Sequence, residues 1–184
     1  MTDSHLNSTS SHPPRSHQDA TITAPNPRLA TTAPARTAEL SNLTVTLRSS
    51  LRQFPDFPQP GILFEDILPI FASPSLHAAL IRALELHVLS SYAERPDVIV
   101  GLEARGFLFG PSLALRLGAG FVPVRKRGKL PGPVKEASFK KEYGEDWFQI
   151  QEGAVKSGQK VLVVDDIIAT GEFDTRWNGT RRRC

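Results

Sequence analysis

The fold is deduced from Val161-Leu-Val-Val-Asp-Asp-Ile-Ile-Ala-Thr-Gly171, an apolar run that ends in two adjacent acids and then small residues. Ligands of an open parallel sheet bind beyond the carboxyl ends of its strands, so Asp165 and Asp166 are predicted at the mouth of a site. Backbone N–H groups of the following small residues can surround a phosphate. The pattern therefore predicts a ribose-5-phosphate site, with a plain acidic cap on a strand end as the alternative.

Upstream of this strand the chain alternates between β-branched runs and helical segments. Strands are predicted at 97–101, 121–124 and 147–150, with a helix at 110–117 that Gly118 ends. A basic loop and a hairpin are predicted between Arg125 and Gly144. Strands joined through helices indicate an α/β fold with a mainly parallel sheet covered on both faces.

The N-terminal half of the ordered chain is predicted to be helical at both ends. The first helix face is formed by residues spaced three or four apart, namely Leu40, Leu43, Leu47, Leu51 and Phe54. Several prolines with Gly61 then lead into an extended segment at 62–64. Ser73 and Pro74 are typical of an N-cap and first helical position, and this second helix should run to about Tyr92.

The two ends of the chain differ in composition from its centre. Residues 1–38 are rich in Ser, Thr and Pro and are predicted to be a disordered tail, and 172–184 is a basic tail without periodicity. The formal charge of +3 lies in these tails, since residues 39–171 carry 15 basic and 15 acidic side chains. We therefore expect no nucleic-acid partner and, without a run of about 18 apolar residues, no membrane span. The single cysteine, Cys184, excludes an internal disulfide.

Five sequence blocks together resemble the type I phosphoribosyltransferase family, in particular its adenine-specific members. The first is the 161–171 stretch, whose order of acids and small residues resembles that family's phosphoribosyl pyrophosphate signature. The others precede it in the family's order: Phe54-Pro-Asp-Phe-Pro-Gln-Pro-Gly-Ile-Leu-Phe-Glu-Asp66, Gly101-Leu-Glu-Ala-Arg-Gly-Phe-Leu-Phe-Gly-Pro111, Val124-Arg-Lys-Arg-Gly-Lys-Leu-Pro-Gly-Pro133 and Glu142-Tyr-Gly144. The resemblance implies the type I phosphoribosyltransferase fold, in an incomplete domain at 39–171.

The resemblance also implies a role for each matched residue in binding phosphoribosyl pyrophosphate. Asp165 and Asp166 would bind the ribose 2′ and 3′ hydroxyls. The 5′-phosphate would be held by the three small residues of the signature, which are Ala169, Thr170 and Gly171. The leaving pyrophosphate would meet the loop after the 97–101 strand, formed by Ala104, Arg105 and Gly106. Arg105 read alone could equally be a surface cation.

The same resemblance implies an adenine site in the first of the upstream blocks, and a lid over the substrates in the third and fourth. Leu63, Phe64 and Glu65 would hold adenine, with Phe64 stacked on the ring. Arg125 and Lys129, in a lid loop, would approach the pyrophosphate. Glu142 and Tyr143 would lie over the reacting centre, with Glu142 as acceptor of the N9 proton. Alternatively, Phe64 is a core residue and Glu142 is an exposed carboxylate without a catalytic role.

The implied reaction transfers the 5-phosphoribosyl group to N9 of adenine and yields AMP and pyrophosphate, a purine salvage step. Mg²⁺ is expected as the cofactor, bound mainly through phosphoribosyl pyrophosphate, with no residue predicted as a protein metal ligand. A cytoplasmic homodimer is expected of a complete chain.

After Gly171 the sequence departs from the family, because Glu172 occupies the position of a second glycine and the expected long helix does not follow. A carboxylate there would repel the ribose phosphate, so we expect little activity and interpret the chain as a truncated or misread product. Two alternatives remain open: a non-catalytic chain that pairs with a full-length copy, and a transferase for another base.

Overall fold

The computed structural model describes residues 32–141 and 144–166, except for the side chains of 139–146. The elements, in chain order, are α1 (Ala33–Ser49), β1 (Arg52–Pro55), β2 (Leu63–Asp66), α2 (Leu68–Ala72), α3 (Pro74–Ser91), β3 (Val98–Leu102), α4 (Gly106–Leu117), β4 (Gly120–Lys126), β5 (Val134–Lys141), β6 (Gly144–Gln151) and β7 (Val161–Val164). Within the described ranges, no helix is both long and apolar enough to cross a membrane.

Within the described part of the chain, the central sheet has five strands in the order β5-β6-β4-β3-β7. Strand β3 runs parallel to both of its neighbours, β4 and β7, whereas β6 pairs antiparallel with β4 and β5. The predicted α/β sheet is confirmed. The hairpin was predicted within 125–144, but it is formed by β5 and β6 and so includes the strand predicted separately at 147–150. Because Gly101 lies opposite Val164, the chains that leave β3 and β7 emerge side by side at one edge of the sheet.

Apolar side chains form a separate cluster on each face of this sheet. The first face carries buried residues from α3, α4, β3 and β7, which are Ile81, Val88, Ile99, Phe109, Leu113, Ala114, Leu117, Leu162 and Val164. The second face is centred on Val98, Val100, Val124 and Ile150, and its further apolar neighbours in the described chain come from strands and from 154–155. Helical cover of both faces was predicted; the described helices contribute to the first cluster only.

Helix α1 begins earlier and ends earlier than predicted. It starts at Ala33, inside the stretch predicted as a tail, because Pro34 fits the first helical turn. It ends at Ser49, and the Ser50 hydroxyl donates to the Thr46 carbonyl at 2.8 Å. The predicted face therefore loses Leu51 and Phe54, and Phe54 lies on β1 opposite Phe64. The remaining parts of the two predicted tails, 1–31 and 172–184, lie outside the described residues.

Helix α1 has no buried residue, and an ionic cluster supplies its most specific contact. Arg82 of α3 donates to both carboxylate oxygens of Glu39, at 2.7 and 2.8 Å. The same guanidinium donates to Glu85, which is 1 % exposed and also accepts from Arg116 of α4 at 2.8 Å. Hydrogen bonding to Arg82 holds the pKa of Glu39 below its ordinary value. The cluster therefore joins three helices through paired charges.

Prediction: replacing Gly106 by Ala should destabilise the fold although alanine favours helices. A Cβ at Gly106 would lie 2.5 Å from the Val164 carbonyl oxygen, whereas one at Gly120 would have no neighbour closer than 3.8 Å. Urea unfolding should show a loss of about 1 to 3 kcal/mol for Gly106→Ala. The matched control, Gly120→Ala, should stay within about 0.5 kcal/mol of the wild type. Equal stability of the two variants would show that α4 can move away from β7.

Candidate functional site

The site is built where β3 and β7 end next to each other. Arg105, which precedes α4, donates from Nη1 to Oδ2 of Asp166 at 2.6 Å. The Asp166 side chain is 10 % exposed and that of Arg105 is 42 % exposed, so the carboxylate is the recessed partner and the guanidinium faces outward. The structure thus brings together the residue predicted for pyrophosphate and one predicted for ribose.

Phe64 forms the third part of the same cluster. The Arg105 guanidinium carbon lies 5.8 Å from the centre of the Phe64 ring, and the Phe57 ring packs edge-on against Phe64 at 5.1 Å. The other two residues predicted for adenine point elsewhere: Leu63 is exposed, and Glu65 accepts a hydrogen bond from Gln53 at 3.1 Å. Phe64 alone of these three is joined to Arg105 by a contact within the described residues.

Strand β2 is joined to β1 and to the start of α2 by a buried acid, Asp66. Arg52 of β1 donates to Asp66 through Nε at 3.1 Å, and the backbone N–H of Leu68 donates to the second carboxylate oxygen at 2.9 Å. These bonds, with the hydrogen bond to Arg52 as the main cause, keep the pKa of Asp66 below its ordinary value. Asp66 was not predicted as a site residue, and it fixes the two-stranded unit that carries Phe64.

Asp165 is the most perturbed carboxyl group of the site. Burial, together with the negative charge of Asp166 and against the opposing effects of the Asp166 backbone N–H and Arg105, raises its pKa to about 6. Two neighbouring carboxylates with one guanidinium leave an excess of negative potential at the end of β7. Hydroxyl groups and cations are the ligands that such a pair favours.

The basic loop that follows β4 is anchored to the end of β3. Arg125 donates from Nη2 to Glu103 at 2.9 Å and from Nη1 to the Lys129 carbonyl at 3.0 Å. The Lys126 N–H donates to the second oxygen of Glu103 at 3.0 Å. Hydrogen bonding to Arg125 lowers the pKa of Glu103. Arg125 therefore lies beside the Ala104–Gly106 loop, whereas Lys129 takes part through its backbone and its side chain is exposed.

The loop itself is shaped by close packing. Ala104 follows a cis peptide bond with Glu103 and is exposed at the mouth of the site. Gly106 is buried against the Val164 carbonyl. The Phe107 and Leu108 N–H groups bond to the carbonyls of Ala104 and Arg105 at 3.2 and 3.0 Å. Helix α4 thus begins at the site, where its N-terminal dipole favours an anion.

The remaining predicted site residues fall outside the described residues, namely Glu142, Tyr143, Ala169, Thr170 and Gly171. Their roles stay predictions. Sequence reasoning missed Glu103, the partner of Arg125, and Phe57, the partner of Phe64. An acid directly before Ala104 at a strand end was the available signal for Glu103. For Phe57 the sequence offered none, because its contact depends on a turn at 56–61.

The donor set of the site fits a divalent cation that arrives with phosphates. The described residues contain no group of three or more His, Cys, Asp or Glu side chains able to hold a metal ion alone. A hard cation such as Mg²⁺ is commonly bound through one or two carboxylates together with substrate phosphates. Asp165 and Asp166 are such carboxylates, and the raised pKa of Asp165 marks a position where added positive charge is favourable.

Comparisons with known proteins agree in the family that they indicate. The phosphoribosyl transferase domain family matches residues 69–172. The adenine phosphoribosyltransferase of Debaryomyces hansenii is 62% identical over 72% of this chain and 70% of its own length. The Saccharomyces cerevisiae adenine phosphoribosyltransferase, crystallised with adenine and an imino-altritol bisphosphate, superposes with a TM-score of 0.68 at 55% identity, covering 71% of this chain and 75% of that one. A Giardia lamblia enzyme with 9-deazaadenine is 33% identical, with a TM-score of 0.60 over 72% and 70% of the two chains.

Prediction: Asp165→Asn should make the protein more stable at neutral pH. Because the folded pKa of Asp165 is raised from 3.8 to about 6, its contribution to stability is complete below the unfolded pKa and lost as the pH rises through the folded one. The variant's melting temperature should match the wild type near pH 4 and exceed it by about 2 to 4 °C at pH 7.

The matched control for this prediction is Glu152→Gln, which removes an exposed carboxylate. Its melting temperature should follow that of the wild type across the pH range. An Asp165→Asn variant that is less stable than the wild type at pH 7 would contradict the electrostatic assignment.

Proposed function

The chain belongs to the adenine phosphoribosyltransferases, and from this premise we propose that its own site transfers the 5-phosphoribosyl group of phosphoribosyl pyrophosphate to N9 of adenine. The bond from ribose C1′ to the pyrophosphate oxygen breaks, the bond from C1′ to N9 forms, and the N9 proton is lost. The products are AMP and pyrophosphate. The observation that carries the proposal is the continuous contact from Phe64 through Arg105 to Asp166, which joins the positions expected for base, leaving group and sugar.

In this proposal ribose is held by the end of β7. Asp165 and Asp166 accept hydrogen bonds from the 2′ and 3′ hydroxyls, and the recessed position of Asp166 leaves little freedom in where the sugar lies. Ala169, Thr170 and Gly171 bind the 5′-phosphate. Arg105 is paired with Asp166 in the structure, so hydroxyl binding at Asp166 can free the guanidinium for the pyrophosphate.

The leaving group is held by the loop between β3 and α4. Ala104, Arg105 and Gly106 offer backbone N–H groups, a guanidinium and a helix N-terminus. Arg125 adds a second guanidinium from the neighbouring loop, and Lys129 adds an exposed ammonium group. Stabilising the charge that develops on pyrophosphate is the main contribution to the rate that this arrangement offers.

Adenine stacks on Phe64, with Leu63 and Glu65 reading its edge through the backbone of β2. The aromatic face is held in place from one side by Phe57, so little side-chain ordering is needed on binding. Glu142 accepts the N9 proton, directly or through water, and Tyr143 covers the reacting centre. Exclusion of water by such a lid protects an oxocarbenium-like intermediate from hydrolysis.

Mg²⁺ is proposed to arrive with phosphoribosyl pyrophosphate. Asp165 and Asp166 are the carboxylates of the site that are best suited to bind it. When bound, it neutralises phosphate charge and so makes pyrophosphate a better leaving group. A cytoplasmic homodimer is proposed as the working form. The exposed apolar side chains near β1 and β2, including Ile62 and Leu68, would be covered in such a dimer.

The direct test is conversion of radiolabelled adenine to AMP by the purified chain with phosphoribosyl pyrophosphate and Mg²⁺, beside a panel of other free bases. We expect product with adenine only. Because Glu172 is expected to weaken phosphate binding, turnover should be slow and product should be followed over hours. Product from another base would favour a phosphoribosyltransferase that is specific for that base. Binding of both substrates without any AMP would favour a non-catalytic chain.

Prediction: Asp166→Asn should weaken phosphoribosyl pyrophosphate binding about tenfold to a hundredfold, because a charge-assisted hydrogen bond is worth about 1.5 to 3 kcal/mol. The dissociation constant is measured by calorimetry with Mg²⁺ present. Adenine binding serves as the internal control and should not change. Unaltered phosphoribosyl pyrophosphate affinity would remove Asp166 from the sugar site.

Prediction: Phe64→Ala should raise the dissociation constant for adenine, since about 0.5 to 1.5 kcal/mol of ring stacking is lost in addition to burial. Phe54→Ala is the matched control, because Phe54 lies opposite Phe64 on β1 and is exposed. Saturation-transfer NMR with adenine separates the two variants. Wild-type affinity in Phe64→Ala would show that this ring has only a packing role.

A further inference from the structure

Gln149 is a buried amide beside the basic loop, and neither the proposed reaction nor the resemblance assigns it a role. The residue is buried, with 5 % of its surface exposed. The carbonyl oxygen accepts a hydrogen bond from the Gly128 N–H at 2.8 Å, and the amide nitrogen donates to Oε1 of Glu136 at 2.5 Å. Both polar atoms of a buried side chain are therefore used, one by a turn and one by a neighbouring strand.

These contacts follow from one row of residues across three strands. Gln149 of β6 lies opposite Arg125 of β4 and opposite Glu136 of β5. Directly paired residues of antiparallel strands share a face, so the three side chains project from the same side of the sheet. The turn at 126–129 folds over that side, and its Gly128 has a positive φ of 77°.

Several contacts of this row and its neighbours hold the turn in place. Arg125 donates to the Lys129 carbonyl at 3.0 Å, and the Lys129 N–H closes the turn on the Lys126 carbonyl at 3.2 Å. Arg127 lies 3.5 Å from the Glu136 carboxylate and 5.1 Å from the Trp147 ring centre. Gln149 supplies the central bond, because its partner is the backbone N–H of the glycine on which the turn reverses.

The amide is the chemical group that these two contacts require together. A carboxylate at 149 would accept from Gly128 but would repel the Glu136 carboxylate that Gln149 now contacts, and an apolar side chain would leave both partners without their hydrogen bonds to residue 149. The neutral donor and acceptor of Gln149 satisfy both. A change of side-chain chemistry at constant size should therefore alter the turn while leaving the packing volume intact.

We propose that Gln149 is a positioning residue, which holds the turn at 126–129 so that Arg125 and Lys129 present their cations to the pyrophosphate. The inference rests on the proposed function, since it assigns pyrophosphate as the ligand of those cations. Gln149 itself touches no substrate; it acts through the Gly128 N–H. Its effect should therefore fall on pyrophosphate binding and spare adenine binding at Phe64.

The experiment uses the full chain with inorganic pyrophosphate and Mg²⁺ as the probe. Gln149→Leu is compared with Gln151→Leu, the matched control on the same strand, where an exposed amide donates to the Pro131 carbonyl at 3.2 Å. Amide exchange at Gly128 is followed by NMR, and affinities for pyrophosphate and for adenine by calorimetry. Gln149→Leu should speed Gly128 exchange and weaken pyrophosphate binding, each about tenfold, with adenine affinity unchanged. Gln151→Leu should change none of the three.

A polarity swap keeps the test decisive if Gln149→Leu does not fold. Gln149→Glu alone should weaken pyrophosphate binding, and the double variant Gln149→Glu with Glu136→Gln should recover it to within about threefold, because the new carboxylate accepts from both Gly128 and the new amide. Glu136→Gln completes the cycle. A swap that recovers stability but not pyrophosphate affinity would overturn the inference.

The outcomes also separate this inference from the proposed function. Wild-type chain that binds pyrophosphate, together with Gln149→Leu that binds it equally well, would overturn the positioning role alone. Wild-type chain that binds adenine but no pyrophosphate would contradict the leaving-group assignment and, with it, the inference that depends on that assignment.

Discussion

The candidate site depends on the close approach of helix α4 to strand β7. Gly106 lies against the Val164 carbonyl with no room for a side chain, and this contact fixes where the loop before α4 meets the loop after β7. Arg105 and Asp166 consequently form a 2.6 Å ion pair. A pair that is recessed on the acid side and open on the basic side is already arranged for exchange: a sugar hydroxyl can replace the guanidinium at the acid while a phosphate replaces the acid at the guanidinium. The ligand then exchanges existing interactions for new ones, and neither charged group is left without a hydrogen-bond partner in the process.

At the same edge of the sheet, the negative charge of Asp165 is energetically unfavourable. Its pKa of about 6 means that at neutral pH the folded chain holds a carboxylate where burial and Asp166 oppose it. Such a group lowers stability in the free protein and gains most when a hydroxyl donor or cation arrives. Glu39, Asp66 and Glu103 show the opposite behaviour, since each is hydrogen-bonded to an arginine and has a lowered pKa. Three acids therefore support the framework, while one is held in a costly state at the position expected for ribose.

The sequence predicted the central strands well because their signals are local. Runs of β-branched residues with polar ends identified β3, β4 and β7, and the Ser73-Pro74 pair identified the start of α3, where the Ser73 hydroxyl accepts from Leu76 at 3.4 Å. The end of α1 was wrong because apolar spacing of three and four continues into β1, where cross-strand pairing with β2 decides the structure. Helix α2 was not predicted, since five residues are too few for periodicity. In the site, Asp166 was expected from its place at a strand end, and Arg105 and Phe64 came from the resemblance. An acid at a strand end was the available signal for Glu103, whereas Asp66 and Phe57 are identified only by the partners that they contact in the folded chain.

The two sides of the sheet suit different tasks in the proposed reaction. The parallel strands β3 and β7 are packed under helices, and β7 leads into the groups expected to bind the sugar, whose position must not vary. The antiparallel hairpin β5–β6 lies beside the turn at 126–129 that is expected to approach pyrophosphate, and polar contacts through Gln149, Glu136 and Arg127 hold that turn. Polar side-chain contacts contribute less to stability than a buried apolar cluster and can be exchanged for contacts with a ligand. A loop that must admit phosphoribosyl pyrophosphate and release pyrophosphate is better held by such exchangeable bonds, because a lid fixed by core packing would slow product release.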